Sequence, residues 1–132
     1  MTMAQIAPCG MNCLLCYATM REKNRCPGCR GDNRNKSNSC VRCRIRNCGT
    51  FEQKGVKYCF SCDHFPCARL KQLDRRYRTK YGMSMIGNLE YIREHGIRAF
   101  VRNEQARWTC SSCGTTRCVH RPDCPGCGDV WR

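Results

Sequence analysis

Six pairs of cysteines, each separated by two residues, punctuate this 132-residue chain: Cys13/Cys16, Cys26/Cys29, Cys40/Cys43, Cys59/Cys62, Cys110/Cys113 and Cys124/Cys127. No other feature restricts the fold as strongly. A two-residue gap lets both sulfurs face one point, and two such pairs complete a tetrahedron around a zinc ion at about 2.3 Å. Pro27-Gly28 and Pro125-Gly126 lie inside two of the pairs, and Gly114 and Gly128 follow the second cysteine of a pair. Glycine at such places relieves the steric cost of a left-handed turn beside a metal.

The cysteines matter more because little else can hold the chain together. Its 16 cysteines are counted in the hydrophobic fraction of 41%. Without them, only about 29% of the residues are apolar, where a domain carries about 45–50% with glycine and cysteine included. A large apolar core is therefore not expected. Structural zinc in small peptides contributes about 10–16 kcal/mol, as much as the net stability of a whole domain at about 5–15 kcal/mol. Metal loss should unfold most of the protein.

Several classes are excluded. The chain is too short for an eight-unit strand–helix barrel of about 250 residues, and no run approaches the roughly 18 apolar residues of a membrane span. The opening MTMAQIAPCGMNCLLC has neither the basic start nor the apolar segment of a secretory signal, so a cytoplasmic location is expected. In that reducing compartment the cysteines are read as ligands rather than disulfides. A redox-active dithiol would need a strand–helix setting that the pattern lacks.

Spacing alone leaves the grouping open. A simple partition gives three sites: Cys13, Cys16, Cys26 and Cys29; then Cys40, Cys43, Cys59 and Cys62; then Cys110, Cys113, Cys124 and Cys127, the last reading as a zinc ribbon or knuckle. Cys9, Cys48, Cys67 and Cys118 remain for a fourth site, a bridged pair of metals, or packing as small buried thiols. A cross-braced arrangement is equally allowed. His120 and His64 are possible additional ligands, each also readable as a surface or supporting residue, while His95 before Gly96 suits a helix C-terminus. Three or four zinc ions are expected. An iron–sulfur cluster is the competing cofactor, since Cys9, Cys13 and Cys16 have the three-then-two spacing of the cluster triad in radical enzymes that use S-adenosylmethionine, though the chain is too short for their barrel.

The fold expected is small, metal-stabilised, and made of helix and irregular structure in three parts. Residues 1–67 form a turn-rich cysteine region, with a polar loop over 30–39. Residues 68–107 form a helical segment packed on it. Residues 108–132 form a ribbon-like knuckle. Within the helical part, Leu70, Leu73, Tyr77 and Tyr81 recur at helical steps and Gly82 suits the end. Ser84 can cap a second helix burying Ile86, Leu89 and Ile92 and stopping at Gly96, and a third runs from Ile97 toward Arg107 with Ile97, Phe100 and Val101 on one face.

The formal charge of +14 needs a correction for bound metal. A divalent ion with four thiolates carries −2, so three or four centres leave roughly +8 or +6. Arg30, Arg34 and Lys36 sit in the polar loop, Arg42, Arg44 and Arg46 alternate beside a cysteine pair, and Arg69, Lys71, Arg75, Arg76, Arg78 and Lys80 surround the apolar stripe of the first helix. Arginine predominates, which favours bidentate contacts with phosphate. Phe51, Tyr58, Phe60 and Trp131 are candidates for stacking on bases, or for the core. The same charge could also serve only to solubilise the surface and offset the metal centres.

The segments PCGMNCLLCYA (8–18), CPGCRG (26–31), CRIRNCGTFEQKGVKYCFSCDHFPCARL (43–70), GNLEYIREHGI (87–97) and RWTCSSCGTTRCVH (107–120) together resemble a prokaryotic cysteine-rich family of unknown function. The resemblance covers nearly the whole chain. It implies metal binding, with zinc as the suspected ion, through Cys9, Cys13, Cys16, Cys26, Cys29, Cys43, Cys48, Cys59, Cys62 and Cys67. It thereby adds weight to Cys9, Cys48 and Cys67 as ligands, and it supplies no activity.

The function expected is that of a non-enzymatic multi-zinc protein docking through its basic surface on RNA, DNA or a ribonucleoprotein. The alternatives are a zinc-stabilised adaptor for another protein and an iron–sulfur electron carrier or accessory enzyme. No catalytic constellation, phosphate-cradling glycine loop or small-molecule substrate site is apparent.

Overall fold

The three helices expected between residues 68 and 107 form because their apolar residues fall on one face and their ends carry the right stop signals. The computed structural model describes residues 1–49 and 57–132. Single-turn helices α1 (Tyr17–Met20) and α2 (Asn38–Val41) lie among the cysteine loops, followed by α3 (Ala68–Lys80), α4 (Met85–His95) and α5 (Ile97–Arg107). Short 3-10 turns lie at Met3–Gln5, Cys13–Leu15 and Cys59–Ser61. Phe51 lies outside them.

Helix α3 ends at Lys80, and the chain reverses through Gly82 at φ +69°. The Ser84 hydroxyl then caps α4, accepting from the Gly87 N–H at 2.9 Å. Asp74 on α3 reinforces this cap. Its Oδ1 accepts from the Ser84 hydroxyl at 2.6 Å and the Ile86 N–H at 3.0 Å, while Oδ2 accepts from Arg78 at 3.1 Å. Burial raises the Asp74 pKa, but these donors outweigh it and hold the carboxyl below its ordinary range. At Gly96, φ +86° breaks α4 and starts α5 directly.

One core joins all three parts of the chain. Leu70, Met83, Met85 and Leu89 from the helical segment pack with Ala7, Met11, Cys13, Leu15 and Ile45 from the cysteine region, and with Trp108 and Val119 beyond α5. A smaller cluster of Ile6, Ile92, Phe100 and Val101 continues it. Ile86 and Ile97, expected on buried faces, are only partly buried.

The cysteine region meets α4 at closest range through Gly10. A Cβ there would lie 2.7 Å from the Met85 carbonyl oxygen, and φ is +91°. Asn88 from α4 donates to the Gly10 carbonyl at 2.9 Å, satisfying a buried amide. Only glycine permits this approach.

Candidate metal centres

Cys110, Cys113, Cys124 and Cys127 converge. Their four sulfurs all lie within 4.8 Å of one another, with Cys110 Sγ to Cys127 Sγ at 3.7 Å and Cys113 Sγ to Cys124 Sγ at 3.6 Å. A tetrahedral ion with metal–sulfur bonds of about 2.3 Å has ligand edges of about 3.8 Å. The four thiols therefore fit a single ion, and they form the one cysteine cluster among the described residues with this spacing.

The backbone explains why. Cys110 N–H donates to the Thr115 carbonyl at 2.8 Å and Gly114 N–H to the Cys110 carbonyl at 2.9 Å. The second turn repeats both bonds, from Cys124 N–H to Asp129 at 2.8 Å and from Gly128 N–H to Cys124 at 2.9 Å. Gly114 (φ +76°) and Gly128 (φ +79°) occupy equivalent left-handed positions, and the antiparallel bridges Thr109–Thr116 and Asp123–Val130 close each hairpin. Two copies of one turn thus present two sulfurs apiece to a common point. Backbone N–H groups of Cys113 and Ser112 aim at the Cys110 sulfur and lower its pKa to about 6, which favours the thiolate a metal needs.

Cys118 and His120 do not join this centre. Cys118 is buried at 1% exposure, outside the four-sulfur set, and the adjacent Val119 N–H donates to the Leu15 carbonyl at 2.9 Å. His120 Nδ1 accepts from the Tyr17 N–H at 3.3 Å, and its Nε2 lies 2.8 Å from the Tyr77 hydroxyl. Both ring nitrogens are therefore engaged, leaving no lone pair for a metal. Burial, then the Arg132 charge, lower its pKa and keep it neutral. Its ring also meets Tyr77 and Tyr81 edge-on, at 5.6 and 5.0 Å. His120 is a structural joint between knuckle and helices. His64 is exposed and belongs to no such cluster among the described residues.

The eleven cysteines of residues 1–67 are divided differently from the simple partition. Cys40 and Cys43 line a cavity of about 250 Å³ with Cys9, Cys13 and Cys16 and with Cys26 and Cys29. Cys48, Cys59, Cys62 and Cys67 line a second cavity of about 60 Å³. The expected set of Cys40, Cys43, Cys59 and Cys62 is thus split. Ile45, buried between Cys43 and Cys48, anchors the chain in the core so that the two cysteines face different cavities. The Cys59 N–H, donating to the Pro8 carbonyl at 2.9 Å, fixes the opposite wall beside Cys9. Burial raises the thiol pKa of Cys9 to about 12, Cys16 to about 11 and Cys59 to about 12. A two-then-four cysteine spacing recurs in the sequence from Cys40, Cys59 and Cys110, and its three copies are placed differently.

Several expected phosphate contacts are engaged within the protein. Arg30 donates to the Ile6 and Lys57 carbonyls, each at 2.7 Å, and stacks over Tyr58 at 4.8 Å. Arg46 donates to Cys29 and Gly31 carbonyls at 2.9 and 3.0 Å. Lys36 donates to the carbonyls of Gly31 and Asp32, and Arg34 pairs with Asp32 at 3.7 Å. Arg42 and Arg44 are exposed, as are Arg69, Lys71, Arg75, Arg76, Arg78 and Lys80 along α3. Tyr58 stacks on Phe60 at 5.6 Å, and Trp131 meets Trp108 edge-on at 5.3 Å, so these aromatics serve packing. No helix among the described residues is long and apolar enough to cross a membrane.

A family model described as protein of unknown function (DUF3795) matches residues 5–72, about half the chain, taking in every cysteine from Cys9 to Cys67. Segments 87–97 and 107–120, which also carried the resemblance, lie outside that match. No curated protein and no solved structure matches the chain. With eleven cysteines and the turns that place them inside the matched stretch, the chain belongs to the DUF3795 family, whose function is unknown.

Proposed function

We propose that this is a non-enzymatic metal–thiolate protein that docks on nucleic acid or a ribonucleoprotein through the outer face of α3. The observation that carries this reading is the clean division of that helix. Leu70 and Asp74 are buried and Leu73 and Tyr77 partly so, while six cations occupy the remaining arc and are all exposed. Exposed arginines on one helix face suit phosphate oxygens spaced along a backbone. Arg44 and Arg69 also flank the Cys48 cavity, which extends the basic surface beyond the helix.

Zinc suits the C-terminal centre, a ribbon-like pair of knuckles with four sulfur ligands and no open position. Its role is structural, presenting α3 rather than performing chemistry. Sixteen cysteines read as metal ligands suit a reducing compartment such as the cytoplasm.

Binding of mixed RNA and DNA fragments across a salt series tests the docking role. About six phosphate contacts predict a loss of roughly a thousandfold in affinity between 50 and 200 mM salt. Replacing Lys71 and Arg75, which line neither cysteine cavity, by Glu should abolish most binding while leaving metal content unchanged. Absent binding at low salt, or capture of a protein partner that survives nuclease, would replace this reading with that of an adaptor.

A further inference from the structure

The two cysteine-rich regions offer their sulfurs in different ways. At the C-terminus four thiols stand at single-ion spacing. In the larger cavity seven thiols share one space, yet among the described residues no three of them close to that spacing. They ring about 250 Å³, where a single water needs only about 10–15 Å³. A bare ion cannot touch thiols so spread. A polynuclear core can, because sulfide-bridged metals hold their thiolates on the outside of the core and therefore farther apart than the edges of one tetrahedron.

We propose that the cavity lined by Cys9, Cys13, Cys16, Cys26, Cys29, Cys40 and Cys43 binds an iron–sulfur cluster, with four of the seven thiols, Cys29 and Cys40 among them, as ligands. The surroundings suit it. Cys13 Sγ, at 5% exposure, already accepts the Cys29 backbone N–H at 3.3 Å, the kind of bond that tunes cluster thiolates. Met11, Leu73, Tyr77 and Met85 form an apolar wall on one side of the cavity, and Met85 is 1% exposed. Lys36, Arg46 and Arg76 also line the cavity and offset the negative charge of a thiolate-bound cluster. Arg46 in addition clamps the turn after Cys29 through its two carbonyl bonds. The three lining cations explain part of the basic charge without nucleic acid, and the cluster stands or falls independently of the docking role.

The test uses the full chain, purified without oxygen and supplied with ferrous iron, sulfide and a thiol reductant, then freed of excess. Iron, acid-labile sulfide and zinc are counted per chain, and the visible spectrum is recorded before and after dithionite. The expected result is about four iron and four sulfide and a brown chromophore that bleaches on reduction. Cys29→Ser should lose at least fivefold of both iron and sulfide, whereas Cys113→Ser should keep them and lose only one other metal ion. Should Cys29→Ser fail to fold, Cys40→Ser, at an exposed position, gives the second reading alongside the iron-to-sulfide ratio of the unaltered chain. Iron bound without sulfide, zinc in this cavity that iron and sulfide do not displace, or full iron retention in both N-terminal variants would each overturn the proposal.

Discussion

The C-terminal knuckle and the N-terminal cysteine region use the same two-residue spacing and arrive at different ends. In the knuckle, each pair sits in a hairpin whose own hydrogen bonds, glycine turn and antiparallel bridge place two sulfurs without help from the rest of the protein. In the N-terminal region three of the four pairs begin in single-turn helices or 3-10 turns from separate segments, Cys26/Cys29 lies in irregular chain, and only the shared core brings them together. A local turn can preorganise an ion site. A cavity assembled from distant segments depends on the fold that surrounds it, and in return supports that fold.

The largest effect should come from removing one ligand on each side of this divide. Cys113→Ser is expected to release one metal ion and melt the two hairpins while α3, α4 and α5 persist. Cys29→Ser is expected to lower overall helicity as well, since Cys13 and its neighbours pack directly against Leu70, Met85 and Leu89. Metal counting with far-UV circular dichroism checks both. Equal helicity loss in the two variants would erase the distinction.

Trp108 ties the two regions together. It packs in the main core at 3% exposure and donates from Nε1 to Glu104 at 2.9 Å. Trp108→Ala should cost about 3–5 kcal/mol in denaturant unfolding. Gly10→Ala should follow at roughly 1–3 kcal/mol, because both its φ and its approach to the Met85 carbonyl exclude a side chain. Tyr77→Phe, which removes only the hydroxyl beside His120 Nε2, should cost about 1 kcal/mol.

These residues also mark how far the sequence could be read. The helices were legible because Leu70, Leu73 and Tyr77 in the first and Leu89 and Ile92 in the second repeat at helical intervals, and Ser84, Gly82 and Gly96 punctuate them. The knuckle was legible because its ligands lie in two near-identical turns. The assignment of Cys40 and Cys43 was not, since it depends on Ile45 reaching a core built from residues far along the chain. His120 was ambiguous for the same reason: its partners, Tyr17 and Tyr77, are distant in sequence and carry no local signature. Gly10 carries no local sign of its constraint, which only the position of α4 reveals. The charge pattern was visible throughout, but which cations serve the backbone required the carbonyls that Arg30 and Arg46 reach.

The smallest expected effect is a pH dependence at the seam between the regions. Burial raises the pKa of Glu104 above its ordinary value, against the Trp108 N–H bond and the nearby Arg107, which act to lower it. A carboxyl with a raised folded-state pKa contributes stability at acidic pH that is lost as pH rises through that value. Glu104→Gln keeps an acceptor for Trp108 and should flatten this decline. Unfolding midpoints at pH 5 and pH 8 check it, and an unchanged slope would contradict it.

The central claim is that metal–thiolate bonds do for this chain what a large apolar core does for others. Its most direct test is denaturant unfolding of the full protein after exhaustive metal removal by a strong chelator under reducing conditions, followed by circular dichroism. The account predicts that the cooperative transition disappears and returns when metal is restored. A reduced, metal-free chain that still unfolds in one cooperative step at a similar midpoint would contradict it.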